Sequence, residues 1–370
     1  MALVILGGMV MLAVEPMLLV DKMSNSMQNA FVVHKTSPPM VSGSKVAAVV
    51  INYNGKEVTK QAVESLRRMT YPNFDLVVLD NASTDGSPEA LARDFPDLRQ
   101  VQVEVNRGSS SGYAAGFRWA FENGYDYVLL LNNDIEVEPG LLTELVKVAE
   151  SDTRIGCIGP KCYFHDDRQR LWSAGGILRF RESITRERGY GEIDRGQFDQ
   201  DADVDYVNGC AILIRRTAAE AAGSWDDLFF ICVDDADFCT RVKRQGFRCV
   251  YAHRAVLYHM VAFTTGGYSP NRNFQFGRSG AIYVRRYANP WNWLTWLAFT
   301  AVALPIAWLR EARKGNQAAA VAKIKGIREG LRIPIPPPPR LTPPASTNPT
   351  WTADTSASAP AGPGASAREP

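Results

Sequence analysis

The chain has 370 residues, enough for about two domains or for one large domain with appendages. Its composition, 46% hydrophobic and 22% charged, is that of a folded protein and excludes a chain that is disordered throughout. The net charge of +2 lacks the basic excess of most nucleic-acid-binding proteins, and six cysteines without a C-x-x-C pair argue against a disulfide-stapled secreted module. Only two apolar stretches approach membrane-spanning length, which excludes a polytopic membrane protein.

The first 44 residues form the first predicted region, an apolar segment followed by a linker. Residues 1–20 are apolar, but they contain Glu15 and Pro16 and lack a basic leader. This pattern fits a weak signal sequence or a membrane anchor, and a start codon assigned too far upstream would give the same pattern.

The second predicted region, residues 45–285, alternates apolar strand signals with amphipathic helix signals. Strands are predicted over residues 46–51, 76–79, 101–105 and 127–131, with helical patterns between them. Strands this apolar, separated by helices, predict an α/β fold with a mainly parallel sheet covered on both faces. Ligands of such sheets bind beyond the carboxyl ends of the strands, and the polar motifs described next follow predicted strands.

The pattern becomes less regular after residue 151. It predicts a turn at 172–176, a charged loop or hairpin up to 205, a strand over 206–214 and a helix over 236–245. Residues 286–333 form a third region, in which an apolar, Trp-rich stretch over 291–309 is long enough to cross a bilayer and precedes a basic stretch. Pro, Ala, Ser and Thr dominate residues 334–370 and predict a disordered tail.

Two motifs in the first half suit a nucleotide. Asp80 ends a strand, where its carboxylate suits the ring N–H of a pyrimidine base, or equally a turn that caps its own backbone. The loop that begins at Asn106 contains Gly108 and Gly112 and opens a helix. Backbone N–H groups at a helix start favour an anion, whereas a flexible serine loop would have the same composition.

A third motif suits a divalent metal ion. Asn133 and Asp134 directly follow a strongly apolar strand and offer amide and carboxylate oxygens, the ligands that Mg²⁺ prefers. Helix capping is the alternative explanation for the acidic residues of this segment. His259 follows a strand-like run after the acidic cluster described next, which favours metal coordination over a structural histidine.

The most informative motif is a cluster of three aspartates, Asp234, Asp235 and Asp237. Like charges this close raise the pKa of one carboxyl, as a general base acting on an alcohol requires. Helix capping accounts for one aspartate but not for three. Asp226 and Asp227 nearby are interpreted as structural residues in a turn.

These motifs, taken in order, resemble those of the inverting family 2 glycosyltransferases with the GT-A fold. The matching runs are Val-Ile-Asn-Tyr-Asn-Gly (50–55), Asp-Asn-Ala-Ser-Thr-Asp-Gly (80–86), Asn-Arg-Gly (106–108), Leu-Asn-Asn-Asp (131–134), Asp-Asp-Ala-Asp-Phe (234–238) and Tyr-His (258–259). The resemblance covers about residues 45–285 and is greatest to the rhamnosyltransferase-like and galactofuranosyltransferase-like branches, which build cell-surface polysaccharides.

The resemblance assigns roles to individual residues. It implies that Asp235 is the catalytic base with Asp234 beside it, and that Asp134 and His259 bind Mg²⁺ or Mn²⁺. Asn132 stands where this family has the first aspartate of its D-x-D motif, which leaves the metal site one charge poorer. The implied contacts with the nucleotide sugar are Asn52, Asn54, Asp80, Asn106, Gly108, Gly112 and Asn133.

The implied activity is inverting transfer of a sugar from a UDP- or dTDP-linked donor to a hydroxyl of a glycan or lipid-linked acceptor. The implied location is the cytoplasmic face of the cell membrane, as a peripheral, monotopic or single-span protein without a nucleic-acid partner. One alternative is a nucleotidyltransferase that makes the activated sugar, which would need a Gly-rich, Arg-containing loop after the first strand. Another alternative is a catalytically dead module that binds glycan or acts as a scaffold.

Overall fold

Four parallel strands form the first half of the sheet. The computed structural model describes residues 43–260 and 269–341, so the apolar segment at residues 1–20 lies outside the described residues. The strands lie in the order β3-β2-β1-β4, and three helices connect them. These elements are β1 (Val46–Asn52), α1 (Lys56–Leu66), β2 (Phe74–Asp80), α2 (Ser87–Asp94), β3 (Arg99–Gln102), α3 (Ser109–Glu122) and β4 (Tyr127–Asn132).

Strand β1 shows why an uninterrupted apolar run folds as a central strand. All seven of its residues are buried, and alternate side chains enter two different hydrophobic clusters, one on each face of the sheet. Its register with β2 places Asn52 directly beside Asp80 at the carboxyl edge. The polar residues that end β1 and β2 therefore lie side by side at this edge.

The second half of the sheet is mixed. Strand β11 runs antiparallel between β4 and β6, while β12 runs parallel to β6, giving a ten-stranded sheet. This mixed, mainly parallel sheet with flanking helices confirms the predicted α/β fold. Its elements are β5 (Ile135–Val137), α4 (Leu141–Ser151), β6 (Ile155–Phe164), β7 (Asp167–Ser173), β8 (Gly176–Leu178), β9 (Thr185–Glu187), β10 (Ala202–Asp203), β11 (Ala211–Arg215), α5 (Arg216–Ala222), α6 (Asp234–Arg244) and β12 (Arg248–His259).

Several predicted boundaries in this half need correction. The charged stretch forms a hairpin of β8 and β9, as predicted, but the strand expected from residue 206 begins only at Ala211. The helix expected from Ala236 begins at Asp234, because Val233 has a positive φ of 66° and turns the chain into the helix there. All three aspartates of the acidic cluster therefore lie in the first turn of α6, where the helix dipole favours negative charge.

Three helices follow the sheet: α7 (Pro270–Tyr287), α8 (Pro290–Ala312) and α9 (Gln317–Gly330). Helix α9 packs so closely on α7 that a Cβ on Gly326 would lie 2.0 Å from the Phe274 carbonyl oxygen. Arg286, placed by prediction in the membrane region, instead forms buried ion pairs with Asp226 and Asp237. Arg286 therefore packs with the sheet and its helices, beyond the predicted boundary at residue 285.

The predicted disordered tail also begins too early. Residues 334–341 lie against the domain, where the carbonyl of Pro336 accepts a hydrogen bond from Arg286 and that of Pro339 accepts one from the Ser224 N–H. A Pro-rich segment leaves its backbone carbonyls unpaired, and here neighbouring donors satisfy them. Residues 342–370 lie outside the described residues.

Candidate active site

At the carboxyl edge of β1, β2 and β4, hydrogen bonds connect three side chains in a row, Asn133, Asn52 and Asp80, which we call the amide cluster. The Asn52 amide nitrogen donates to Asp80 Oδ1 at 2.7 Å, and the Asn133 amide nitrogen donates to Asn52 Oδ1 at 3.2 Å. Thr59 joins them by donating to Asn52 Oδ1 at 2.7 Å. All three members are nearly inaccessible to solvent, at 6%, 0% and 2% exposure.

Burial changes the expected roles of the two asparagines. The prediction gave Asn52 and Asn133 direct contacts with a nucleotide, but the structure directs both side chains at protein partners. The Asn52 amide orients Asp80, whose second carboxylate oxygen accepts from the Ser83 N–H at 2.9 Å. Asn54, in contrast, is exposed and has a φ of 49°, and its Oδ1 accepts from the Thr84 N–H at 2.7 Å.

The glycines of the predicted anion loop allow close packing. A Cβ on Gly108 would lie 2.2 Å from the Phe230 carbonyl oxygen, and one on Gly112 would lie 2.8 Å from the Ile51 side chain. Gly112 therefore lets α3 pack closely against β1, and its α-carbon faces the core. Asn106 folds the loop by accepting from the Gly108 N–H at 2.7 Å. That this loop contacts a nucleotide sugar stays a prediction.

The predicted metal ligands come together. Pairing of β12 with β5 sets His259 opposite Ile135, beside Asp134, so that His259 Nε2 lies 3.2 Å from Asp134 Oδ1. Both residues are 6% exposed, and Asp134 Oδ1 has no hydrogen-bond partner within the described part of the chain. Asn132, at the position of the missing aspartate, places its amide nitrogen 3.4 Å from His259 Nε2.

The three aspartates of α6, which we call the acidic turn, have different surroundings. Asp237 is fully buried and accepts hydrogen bonds from Arg241, Arg286 and Tyr287 at 2.7–2.9 Å. Asp234 is buried against α3 and accepts from Ser110 Oγ at 2.8 Å and Trp225 Nε1 at 3.0 Å. These two side chains therefore fix the helix to the domain.

Asp235 has no side-chain donor of this kind in the described structure. Its carboxylate accepts only backbone hydrogen bonds, from the Gly209 N–H at 2.9 Å and the Ala236 N–H at 2.7 Å. Burial, and then the negative charges of Asp234 and Glu187, raise the pKa of Asp235 well above its usual range. This combination suits a carboxylate that accepts a proton from an alcohol.

Comparison with known proteins identifies the domain. Residues 47–223 match the family model described as glycosyl transferase family 2. The chain contains a family 2 glycosyltransferase domain. Among relatives of this glycosyltransferase is the N-acetylglucosaminyl-diphospho-decaprenol L-rhamnosyltransferase of Mycobacterium tuberculosis, 24% identical over 246 residues, which are 59% of this chain and 76% of that protein. The O-antigen biosynthesis protein RfbC of Myxococcus xanthus is 28% identical over 227 residues, 60% of this chain and 18% of that protein.

The fold of the glycosyltransferase also matches solved structures. A mannosyltransferase from Pyrobaculum calidifontis, in complex with GDP-Man and Mn²⁺, superposes with a TM-score of 0.55 at 17% identity. The match covers 85% of this chain and 94% of that chain and shows a GT-A fold. The glycosyltransferase prediction is thus confirmed, and the family assignment favours it over a nucleotidyltransferase.

The residues of the glycosyltransferase fit a divalent metal ion. Asp134 Oδ1 and the adjacent imidazole nitrogen form a pair of oxygen and nitrogen ligand atoms that suits Mn²⁺ or Mg²⁺. Two ligand atoms at right angles on an ion, each about 2.1 Å from it, lie about 3 Å apart. The 3.2 Å separation of Asp134 Oδ1 and His259 Nε2 agrees with that spacing.

The sequence analysis missed two site residues, Tyr113 and Glu187. The Tyr113 hydroxyl lies within hydrogen-bond distance of Asn132 Oδ1 and, at 2.9 Å, of the Gly209 carbonyl oxygen. It therefore connects Asn132, which is next to His259, with Gly209, whose N–H binds Asp235. Glu187 accepts hydrogen bonds from Ser173, Tyr206 and Asn208. Tyr113 lay within a motif already noted, whereas nothing in the charged stretch distinguished Glu187 from its neighbours.

Proposed function

We propose that this glycosyltransferase transfers a sugar, with inversion, from a UDP- or dTDP-linked donor to a hydroxyl of a glycan or lipid-linked acceptor. The observation that carries the proposal is Asp235, a half-buried carboxylate of raised pKa that binds the Gly209 N–H, at the same edge of the sheet as the Asp134–His259 pair. The relatives named for rhamnosyl transfer to a diphospho-decaprenol lipid and for O-antigen biosynthesis support a role in cell-surface polysaccharide synthesis.

The donor would bind at the amide cluster. Asp80, oriented by Asn52, presents a carboxylate that suits the N3–H of uracil or thymine. Exposed Asn54 and the loop of Asn106 and Gly108 would contact the rest of the nucleotide. Asp134 and His259 would hold Mg²⁺ or Mn²⁺, which when bound neutralises charge on a diphosphate leaving group.

Asp235 would act on the acceptor. Its carboxylate takes the proton of the acceptor hydroxyl while the hydroxyl oxygen forms a bond to the anomeric carbon. The bond from that carbon to the diphosphate oxygen breaks on the opposite face, so the anomeric configuration inverts. The raised pKa of Asp235 brings its basicity closer to that of the attacking alcohol and favours the transfer.

Turnover of a donor panel tests this function. The full chain, supplied with Mn²⁺ and UDP- or dTDP-sugars, should slowly release nucleoside diphosphate from one donor. A lipid-linked diphosphate sugar should accelerate the release and yield a product of inverted anomeric configuration. A chain that binds glycan but releases no nucleoside diphosphate from any donor would be the binding module considered above.

Helix α8 supports membrane association. It is the one helix within the described residues that is long and apolar enough to cross a membrane, and 6% of its apolar window is buried. Trp291, Val302 and Ile306 are 68%, 61% and 60% exposed, so this helix is not the ordinary core helix that its composition also allowed. We infer attachment at the cytoplasmic face, as a monotopic or single-span helix.

A charge on α8 tests this attachment. Val302→Glu places a carboxylate in the middle of the apolar helix, at a cost of about 2.5–3.5 kcal/mol in a bilayer. The variant should move from the membrane fraction to the soluble fraction, whereas Val105→Glu, at a valine 59% exposed on the catalytic domain, should not. Wild-type protein that is already soluble without detergent would contradict the attachment.

A further inference from the structure

The hairpin of β8 and β9 ends in a carboxylate next to the base. Glu187, the last residue of β9, accepts from the Tyr206 hydroxyl at 2.6 Å, from the Asn208 amide nitrogen at 2.9 Å and from Ser173 Oγ. Ser173 and Asn208 come from the end of β7 and from the segment before β11. Three donors from two different segments therefore converge on one partly buried carboxylate.

Asn208 connects this carboxylate to Asp235. Its Oδ1 accepts from the Cys210 N–H at 2.9 Å, which shapes the turn that contains Gly209. The Gly209 N–H in turn donates to Asp235 Oδ2 at 2.9 Å. A movement of Asn208 would therefore redirect the backbone donor that holds the Asp235 carboxylate.

The charge of Glu187 also acts on Asp235. Asn208 can only donate to Glu187 through its amide nitrogen. Burial raises the pKa of Glu187, and its three hydrogen-bond donors oppose that rise by stabilising the ionised carboxylate. The titratable groups that face Asp235 are Asp234 and Cys239 on α6, Cys232 before α6, Glu187 on β9, Tyr206 before β11 and Tyr113 on α3. Burial raises the pKa of the tyrosines and cysteines among them, so these groups stay neutral and the acidic neighbours of Asp235 are Asp234 and Glu187.

We propose that Glu187 is a positioning residue for the base: it holds Asn208, and through the Gly209 N–H it holds the Asp235 carboxylate. The ionised form of Glu187 also disfavours loss of the Asp235 proton. This inference rests on the proposed function, because it assumes that Asp235 accepts the proton. It assigns a role in catalysis to the β8–β9 hairpin.

Glu187→Gln tests the proposal with a matched control. The glutamine keeps the shape, removes the charge and replaces one of the two carboxylate oxygens, which accept from Asn208 with Tyr206 and from Ser173, by an N–H₂ group. Glu182→Gln makes the same change on the same hairpin, at an exposed side chain. We expect Glu187→Gln to lower kcat at least about tenfold with donor affinity unchanged. The acid limb of its kcat/KM profile should move to lower pH, because loss of a nearby negative charge lowers the pKa of Asp235.

A second variant separates position from charge. Asn208→Ala breaks the link but keeps the Glu187 carboxylate, so kcat should fall while the acid limb stays at its wild-type pH. A Glu187→Gln profile that matches Glu182→Gln would overturn the proposal, and so would a lower rate without a shift of the acid limb. Asp235→Asn is the reference: if it transfers sugar at the wild-type rate, the proposed base is wrong, whereas a slow Asp235→Asn with an unperturbed Glu187→Gln overturns this inference alone.

Discussion

The amide cluster and the acidic turn use buried polar groups in opposite ways. At the amide cluster, the Asn133 amide nitrogen donates to the Asn52 amide oxygen, and the Asn52 amide nitrogen donates to Asp80. At the acidic turn, Asp235 faces two other carboxylates, and backbone N–H groups are its donors. The first arrangement fixes a shape before a ligand arrives. The second keeps a carboxylate basic, at a free-energy cost that its neighbours must offset.

Asp237 anchors the first turn of α6. Its ion pairs with Arg241 and Arg286 are fully buried, and Arg286 also pairs with Asp226 at 2.7 Å. Asp235 therefore lies in a helical turn that buried ion pairs anchor in the core. The comparison predicts that substitutions in the acidic turn lower stability or the rate of transfer, whereas substitutions in the amide cluster weaken binding of the nucleotide sugar.

Asp237→Ala should have the largest effect on stability. It leaves Arg241 and Arg286 buried without their shared carboxylate, which typically costs about 3–5 kcal/mol. Chemical denaturation should show this loss in the free energy of unfolding, whereas exposed Asp227→Ala should stay within about 0.5 kcal/mol of wild type. A small effect of Asp237→Ala would mean that the acidic turn is not held by this anchor.

Substitution of the metal pair should have an intermediate effect, on binding. Asp134→Ala and His259→Ala should each weaken Mn²⁺-dependent donor binding about 10- to 100-fold with the fold intact, because each removes one ligand. Calorimetric titration of the donor with and without Mn²⁺ measures the change, and exposed Asp166→Ala is the control. Wild-type activity that persists unchanged in excess chelator would contradict the metal site.

Asn133→Ala should have the smallest effect. It removes the hydrogen bonds to Asn52 and Thr59 but leaves the contact between Asn52 and Asp80 in place. The dissociation constant of the nucleotide sugar should rise by no more than about tenfold, because the lost hydrogen bonds are neutral and the one that orients Asp80 is kept. Asn123→Ala, at an exposed helix end, should leave it unchanged. At saturating nucleotide sugar, Asn133→Ala should transfer sugar at the wild-type rate, in contrast to substitution of Asp235 in the acidic turn.

The sequence predicted the features that depend on local pattern. Strand β1 and its neighbour β4 are continuous apolar runs, so both strands and the polar residues at their ends follow from periodicity. The acidic turn was identified because three carboxylates in four residues are hard to explain otherwise.

The features that the sequence did not predict depend on distant partners. Glu187 lies among other charged residues, and its role comes from Ser173 and Asn208, which the fold brings to it. Residues 334–341 have a composition typical of disorder, yet Arg286 and Ser224 satisfy their carbonyls. The asparagines of the amide cluster were correctly placed at the edge, but their burial could not be known without the packing of α1.

The central claim is that Asp235 is the base, and single-turnover transfer by Asp235→Asn tests it most directly. The asparagine keeps the shape and accepts the Gly209 hydrogen bond through its oxygen, but it cannot accept the proton. We predict normal donor affinity with sugar transfer at least about a hundredfold slower, and wild-type transfer for Asp227→Asn. If Asp234→Asn abolishes transfer while Asp235→Asn remains active, the base is the neighbouring aspartate and the account is contradicted.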